Sequence, residues 1–585
     1  MIFPAYPGNR EVIPMNLAAI FHEARVPMCC MTDERTLQIT LRTGREADAA
    51  ELICADPYEA GIAGGGESWQ GRRVAMQPWL ELERHRVWRV TVQPPYRRLR
   101  YVFCIKEGAE CRYLYEDGLR RDLQLDERVQ CFLMPWMNPA DCIAPPDWVR
   151  RTVWYQIYPD RFCRGGSGRG GALPWRHGPV TNCERFGGDL AGIAQKLPYL
   201  ASLGVNGLYL NPIFAARSFH KYDTADYTRV DPDFGAEADL EALVRQAHEQ
   251  GIRVMLDAVF NHCGPDFAPW RDVVAHGPAS PWWNWFFVNQ WPLPAKGDTR
   301  PGQYFSFAFH GGMPKLNTND PGLQEYLIRL CEDWVRRYGI DGLRFDVGNE
   351  VSHAFLRRLR ARLKALKPDL YLLGEIWHDA PAWLEGDEYD AVMHYPLQSA
   401  LRRFFEDKGQ PAAAFGWDVG RCLTVYPPQV SAAQFTLLDS HDTIRLRSRV
   451  GSEDEFWQQL AALLTLPGSP CLYYGTELAL EGGHDPDCRR CMPWDELDTP
   501  AGQARVQTLR TLTALRRQEP ALQGSEVRFF PGPGRLVHYR RGGALDVFLN
   551  AGAAPCPLDA GRSPAFARGW DGRALAPGGV LIRRV

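Results

Sequence analysis

The chain has 585 residues, more than one hydrophobic core usually holds, so two or more domains are expected. Hydrophobic residues make up 45% and charged residues 23%, a globular balance that excludes a disordered or fibrous chain. A formal net charge of -3, with basic and acidic residues interspersed, argues against nucleic acid as a partner and fits a neutral substrate.

The N-terminal MIFPAYPGNREVIPMNLAAIFHEARV is broken by Pro and charged residues before any apolar core develops, so it does not read as a secretory signal. No run approaches the length of a membrane span. The 16 cysteines are scattered without a compact framework, which suits reduced, mostly buried thiols in a cytoplasm. Cys488 and Cys491 form one C-x-x-C without a second pair at zinc spacing, and read as a structural loop.

Residues 1–125 carry short alternating runs such as TLQITLRT and VWRVTVQ, separated by Gly, Pro and Asp, and predict an N-terminal β-sandwich. A Pro-containing connector follows over 126–145. From 146 to 523, apolar strands alternate with helical periods, the pattern of a parallel sheet with crossover helices. Eight strands are predicted in order: VWYQIY, VNGLYL, VMLDAVF, GLRFDV, LYLLGEI, AVMHY, QFTLLDS and PCLYYG. That number over that span makes a (β/α)8 TIM barrel in a multi-domain α/β protein. GLQEYLIRLCEDWVRRYG spaces Leu323, Leu327, Leu330, Trp334 and Tyr338 as the core face of one barrel helix. The loop after the third strand, 263–312, is too long for an ordinary βα connection and is expected to form a small excursion domain. Its SPWWNWFFVNQW aromatics could stack on sugar rings, but more than half are expected in that excursion's own core. Residues 524–585 alternate again and predict a C-terminal β domain.

In such a barrel the reactive groups sit at the C-terminal ends of the strands. LDAVFNH ends in Asp257, Asn261 and His262; GLRFDV carries Arg344 and Asp346; LLGEIW carries Glu375; LLDSHDT carries His441 and Asp442. Arg344 and Asp346, two apart, share the inward face, where a fixed guanidinium would hold the carboxylate ionised as a nucleophile requires. Any one of these motifs is also read as a structural ion pair; it is their combination in strand order that points to chemistry. Carboxylates on adjacent strands can lie about 5 Å apart, the spacing for retaining glycoside hydrolysis. Asp442 is then left to stabilise an oxocarbenium-like state.

These residues resemble the α-amylase family of glycoside hydrolases. Four family motifs stand as DAVFNH, GLRFDVGNE, GEIW and LLDSHD. MPKLN at Met313–Asn317, HKYDTADY from His220 and GGHDPDCRRCMPWD from Gly482 resemble the neopullulanase, cyclomaltodextrinase and maltogenic amylase subgroup, whose starch-binding β-sandwich the N-terminal segment also resembles. The resemblance implies Asp346 as nucleophile, Glu375 as acid/base and Asp442 as transition-state stabiliser. Arg344, His262 and His441 would hydrogen-bond the sugar at the cleaved position, and Tyr222 would stack on it. Asp485 and Arg489 match contacts to the next sugar towards the non-reducing end; Glu350 and Trp377 match positions lining the acceptor side. Loop charges also brace one another, which leaves a structural role open for these four.

Two positions depart from the subgroup, which has Ala at Gly348 and Gly at Asp439. Gly348 is expected to loosen the turn after the nucleophile strand, and Asp439 to add a carboxylate able to raise a neighbouring pKa. The implied substrates are α-1,4 links in cyclodextrins, pullulan or maltooligosaccharides, cleaved with some transglycosylation. The resemblance further implies a homodimer in which one chain's N-terminal domain narrows the other's active site, no required cofactor, and room for a calcium ion that no EF-hand-like loop identifies. A mainly transglycosylating or isomerising enzyme of the same family is the alternative. A non-catalytic glucan-binding protein is the reading from another class, and the presence of both carboxylates speaks against it.

Overall fold

A computed structural model describes residues 15–59, 71–125, 129–166, 168, 171–293, 297–558 and 563–585. Residues 1–14, in the segment that argues against a secretory leader, lie outside the described residues, as do 126–128 at the start of the expected connector and 294–296 in the expected excursion. The chain groups into two compact units, one of Met1–Ile143 with Gly416–Pro427, the other of Ala144–Phe415 with Pro428–Val585.

In the first unit the period-two runs become two antiparallel sheets. One has the order Cys29–Met31, Leu37–Gly44, His85–Val92, Gln77–Glu81; the other runs Arg72–Ala75, Ala49–Ala55, Leu99–Glu107, Glu110–Tyr115, Gly118–Arg120, with Phe132–Met134 also paired to Leu99–Glu107. Leu37, Ile39 and Leu41 from one sheet meet Leu52, Tyr101, Phe103 and Ile105 from the other in a common core, the alternation a sandwich needs. His22 is buried there between Thr40 O and the Tyr101 hydroxyl, and burial lowers its pKa to about 4.

In the second unit the eight predicted strands are β1 (Trp154–Ile157), β2 (Gly207–Leu210), β3 (Arg253–Ala258), β4 (Gly342–Phe345), β5 (Tyr371–Gly374), β6 (Ala391–Val392), β7 (Phe435–Thr436) and β8 (Ser469–Tyr473). They form one parallel sheet in the order β6-β5-β4-β3-β2-β1-β8-β7. A parallel bridge between Met393 and Phe435, with the His394 N–H donating to Phe435 O at 2.8 Å, brings the two edges together into a nearly closed barrel. Period two stacks the interior in layers. Trp154, Tyr209, Met255, Tyr371 and Leu373 belong to an apolar cluster, the residues two further along β1 and β3, Gln156 and Asp257, are polar, and Arg344 of β4 lies beside Asp257. The packed apolar layer thus supports a polar one at the strand ends, where the site lies.

The helix Pro321–Tyr338 begins where Asp320 Oδ1 accepts the N–H groups of Gly322 and Leu323, and stops at Gly339 in the left-handed region, φ 70°. All five residues of its expected core face are buried, and Trp334 stacks on Phe214 at 4.3 Å. The excursion after β3 carries the helix Ala268–His276 and short 3-10 turns around a small core of Trp270, Phe286 and Tyr304. Of the six aromatics in SPWWNWFFVNQW only Phe286 is buried. The expectation that most would form the excursion's core is therefore corrected: so short and irregular a segment cannot enclose six large rings.

The C-terminal sheet has the order Val527–Phe530, Leu536–Arg541, Leu545–Asn550, Ala574–Arg584, Cys556–Pro557, with Pro564–Trp570 also on Ala574–Arg584, and lies in the same compact unit as the barrel. Arg541 is fully buried and donates to Thr465 O and Leu522 O. Among the described residues no helix is long and apolar enough to cross a membrane. All 16 cysteines are free thiols.

The barrel floor offers a test of the packing. Ser469 Oγ accepts the Trp154 indole N–H at 2.9 Å and lies 2.7 Å from Val149 O. Ser469→Ala leaves that buried N–H without an acceptor and is expected to cost about 1–3 kcal/mol, read as a lower urea midpoint with unchanged activity per folded molecule. An unaltered midpoint would show that this bond contributes nothing.

Candidate active site

The β4 ladder ends at Phe345, and the chain then places Asp346 beyond the last hydrogen-bonded pair. Parallel register puts Asp257 of β3 beside Arg344 of β4. Arg344, with no exposed surface, is the hub: Nη1 lies 2.9 Å from both oxygens of Asp257 and 3.0 Å from Asp346 Oδ1, and Nη2 lies 2.9 Å from Glu375 Oε2. The last contact is an ion pair without hydrogen-bond alignment. Glu375, just past β5, also accepts the Val347 N–H at 2.8 Å on Oε2 and the Trp377 indole N–H at 3.1 Å on Oε1.

Above this cluster is a cavity of about 460 Å³. Asp346, Glu375 and Asp442 line it with Tyr222, His262, His441, Trp377, Asp485 and Arg489, so the structure gathers nine of the eleven residues singled out from sequence. Arg344 lies buried among the carboxylates and is not on the wall. Glu350 is off the wall too, its carboxylate paired with Lys315 Nζ at 2.8 Å. Asp346 Oδ2 and His262 Nε2 are buried without a hydrogen-bond partner among the described residues, and unmet polar atoms on a cavity wall are what a polar ligand satisfies.

His441 and Tyr222 close one side, their rings stacked at 5.4 Å and 7°. The Gln156 amide nitrogen donates to Asn211 Oδ1 and to His441 Nδ1, which leaves the ring proton on Nε2, 3.0 Å from Asp442 Oδ2 and 2.6 Å from the Tyr222 oxygen. Tyr222 in turn donates to Asp257 Oδ2 at 3.1 Å. Arg489 bridges Asp442, 3.2 Å from Nη2, and Asp485, 2.9 Å from Nη1. Trp377, half exposed, stacks on Tyr395 at 3.8 Å and 6°.

Burial lowers His262 to about 3, helped by Lys315, and pushes His441 well down, helped by Arg489 and Arg344, so both rings are neutral. The carboxyls of Asp257, Asp346 and Asp442 are all pushed up, first by burial. Arg344 opposes the rise at Asp346, while Glu375, Asp257 and Asp442 add to it. The guanidinium lies against Asp346 as expected and lowers its carboxyl, but burial outweighs that effect, and Arg344 divides its charge among three carboxylates.

The first departure acts differently from expectation, while the second does raise a neighbouring group, the buried Cys471 thiol, where burial is the larger cause. Gly348 does not loosen its turn: its N–H donates to Glu375 O at 3.0 Å and its carbonyl accepts the Tyr389 hydroxyl at 3.1 Å. Asp439 caps the Leu446–Arg449 helix, accepting the Leu446 N–H at 2.8 Å and facing Arg445 and Arg449, and it is not on the cavity wall. Sequence reasoning missed Asn182, Phe307 and Asn349 on the wall. Phe307, stacked on His262 at 4.9 Å, lies in the excursion with no strand-end signal to single it out. Among the described residues no three His, Cys, Asp or Glu side chains converge as a metal-holding group.

A (β/α)8 barrel carrying paired carboxylates at the ends of adjacent strands defines a glycoside hydrolase. Residues 156–514 match the family model described as the α-amylase catalytic domain, and 15–138 match the α-amylase N-terminal Ig-like domain. The chain belongs to the α-amylase family of glycoside hydrolases. It is 42% identical over 561 residues to a cyclomaltodextrinase of Geobacillus thermopakistaniensis (strain MAS1), covering 93% of this chain and 94% of that protein. It is 40% identical over 514 residues to the intracellular maltogenic amylase of Bacillus subtilis, covering 87% and 85%. A solved cyclomaltodextrinase structure superposes with a TM-score of 0.87 at 36% identity, over 97% of this chain and 98% of that one.

Removing the hub should expose its electrostatic role. Arg344→Met leaves Asp257, Asp346 and Glu375 without their shared cation, and a destabilisation of about 3–5 kcal/mol is expected at neutral pH. Losing the cation raises the Asp257 and Asp346 pKa values further, so the deficit is present above them and shrinks as the pH falls and these two groups take up protons. Thermal midpoints at pH 5 and pH 8 check this; a deficit that grows towards acid would contradict it.

Proposed function

We propose that this enzyme hydrolyses α-1,4-glucosidic bonds in cyclodextrins, pullulan or maltooligosaccharides with retention of configuration. The observation carrying the mechanism is that Asp346 keeps Oδ2 buried and unpaired at the cavity while its other oxygen and Glu375 bind one guanidinium. Sharing that small cation favours the close pairing, about 5 Å, of retaining enzymes over the wider inverting arrangement.

In the first step Asp346 Oδ2 attacks the anomeric carbon as Glu375 protonates the departing glycosidic oxygen, giving a glycosyl ester. Glu375 then takes a proton from water, the water oxygen bonds to the anomeric carbon, and Asp346 leaves as carboxylate. Asp442 stabilises the positive charge between these states, with Arg344 ordering the carboxylates. Tyr222 stacks on the sugar at the cleaved position, the His262 Nε2, without a hydrogen-bond partner among the described residues, bonds its hydroxyls, and His441 joins it when a sugar hydroxyl takes the place of Tyr222 or Asp442 at its Nε2–H. Asp485 and Arg489 contact the next sugar; Trp377, with Glu350 behind Lys315, borders the acceptor side. A sugar hydroxyl can replace water in the second step, so transglycosylation accompanies hydrolysis.

The proton donor and the nucleophile are both side chains, and the reading requires no cofactor and no calcium. It places the enzyme in the cytoplasm, as the free thiols favour, and as a homodimer. Light scattering should then give twice the 66.3 kDa chain mass; a single-chain mass would remove the dimer.

The test compares the protein with Asp346→Asn on β-cyclodextrin, pullulan and soluble starch, in the presence of EDTA. Cyclodextrin opened faster than starch, α-anomers appearing first by NMR, and a loss of roughly a thousandfold or more in the variant are expected. β-Anomers appearing first, or an undiminished variant, would sink the mechanism. Because attack needs ionised Asp346 and its carboxyl is pushed up, activity should fall with acid through a limb above the ordinary Asp value of about 3.9. A kcat/KM profile still flat below that value would refute the shift.

A further inference from the structure

The turn after β4 leads from Asp346 towards Glu375, and the side chain buried behind it has no role so far. Val347, directly after Asp346, is left-handed at φ 46° and ψ 47°, a conformation that β-branched residues rarely adopt. Its N–H is thereby aimed at Glu375 Oε2, 2.8 Å away. The next residue, Gly348, donates its N–H to Glu375 O at 3.0 Å, so the turn after β4 grips Glu375 by both side chain and main chain.

Tyr389 is buried behind this turn. Its hydroxyl donates to Gly348 O at 3.1 Å, and its ring lies 5.5 Å from that of Phe345. A Cβ on residue 348 would come within 2.9 Å of the Tyr389 hydroxyl, 3.2 Å of Glu375 N and 3.3 Å of Glu375 O. A Cβ on residue 374, at the end of β5, would meet the Tyr389 ring at 2.6 Å. Tyr389 therefore fits only because both residues beside it, one from each carboxylate-bearing strand, are glycine.

We propose that Tyr389 and Gly348 act together as positioning residues for Glu375: the hydroxyl occupies the space of a Cβ at 348 and fixes the turn whose two N–H groups orient the acid/base. This rests on the assignment of Glu375 as proton donor. Gly348→Ala drives a methyl against the hydroxyl and against the Glu375 backbone; Tyr389→Phe removes the hydroxyl and its bond to Gly348 O but opens the space. The two substitutions should compensate, which independent structural defects would not do.

The experiment measures kcat/KM for the protein, Gly348→Ala, Tyr389→Phe and the double variant on maltotriose and on 4-nitrophenyl α-maltoside, whose leaving group needs no proton. Gly348→Ala is expected to lose roughly tenfold to a hundredfold on maltotriose, within the contribution of general acid catalysis, and less than about threefold on the aryl substrate. The double variant should recover to within about threefold of the original on maltotriose. Equal losses on both substrates, or a double variant no better than Gly348→Ala, would overturn the proposal. If Glu375→Gln loses as much on the aryl substrate as on maltotriose, the assignment of Glu375 as proton donor fails instead, and the two failures are distinguishable.

Discussion

A single buried guanidinium organises the active end of the barrel. Arg344 has no exposed surface, and an unpaired cation there would cost several kcal/mol. Its partners come from three neighbouring strands or their ends, Asp257 on β3, Asp346 beyond β4 and Glu375 beyond β5, because the parallel register sets Asp257 beside Arg344 and Phe345 beside Gly374. Displacing any of these strands by one residue would turn its polar group away from the hub. The apolar layer of Trp154, Tyr209 and Met255 beneath is what holds that register, so the geometry of the carboxylates is inherited from the packing of the floor.

The charge balance around the hub is tilted on purpose of geometry rather than neutralised. One guanidinium faces three carboxylates, and Asp442 adds a fourth that Arg489 shares with Asp485. The three cavity histidines, His220, His262 and His441, do not offset the excess, since burial lowers the pKa of each. They remain hydrogen-bonding groups in a site that stays rich in carboxylate. Such a site is suited to a reaction whose intermediate state carries positive charge on the sugar ring, because the stabilising groups are already in place and need no reorganisation.

The sequence made the barrel legible because its strands are short apolar runs whose order survives long insertions, and because Arg344 and Asp346 sit two apart at the end of one of them. Nine of the eleven named site residues reach one cavity. What stayed illegible depends on three-dimensional neighbours. Glu350 finds Lys315, thirty-five residues away in sequence, and Asp439 finds the start of a helix that no pattern marked. The four tryptophans of SPWWNWFFVNQW look like core builders by composition, yet a segment that small buries none of them. The sharing of Arg344 stayed illegible for a related reason: the Arg344–Asp346 pair is visible in the sequence, but the two other claimants on the same guanidinium are not close to it in the chain.

The turn after β4 shows how a strained backbone can serve precision. A left-handed valine costs of order 1–3 kcal/mol and persists only where its surroundings over-determine it. Here the surroundings are a bond from the Val347 N–H to Glu375 Oε2 and a second bond from Gly348 N–H to the Glu375 carbonyl. Both donors belong to the main chain directly following Asp346, so the position of Glu375 is referred to Asp346 through peptide geometry rather than through flexible side chains. A pair of carboxylates tied in this way keeps its spacing even when the cavity above them is reshaped, which lets loops such as the excursion vary the substrate while the chemistry beneath stays fixed.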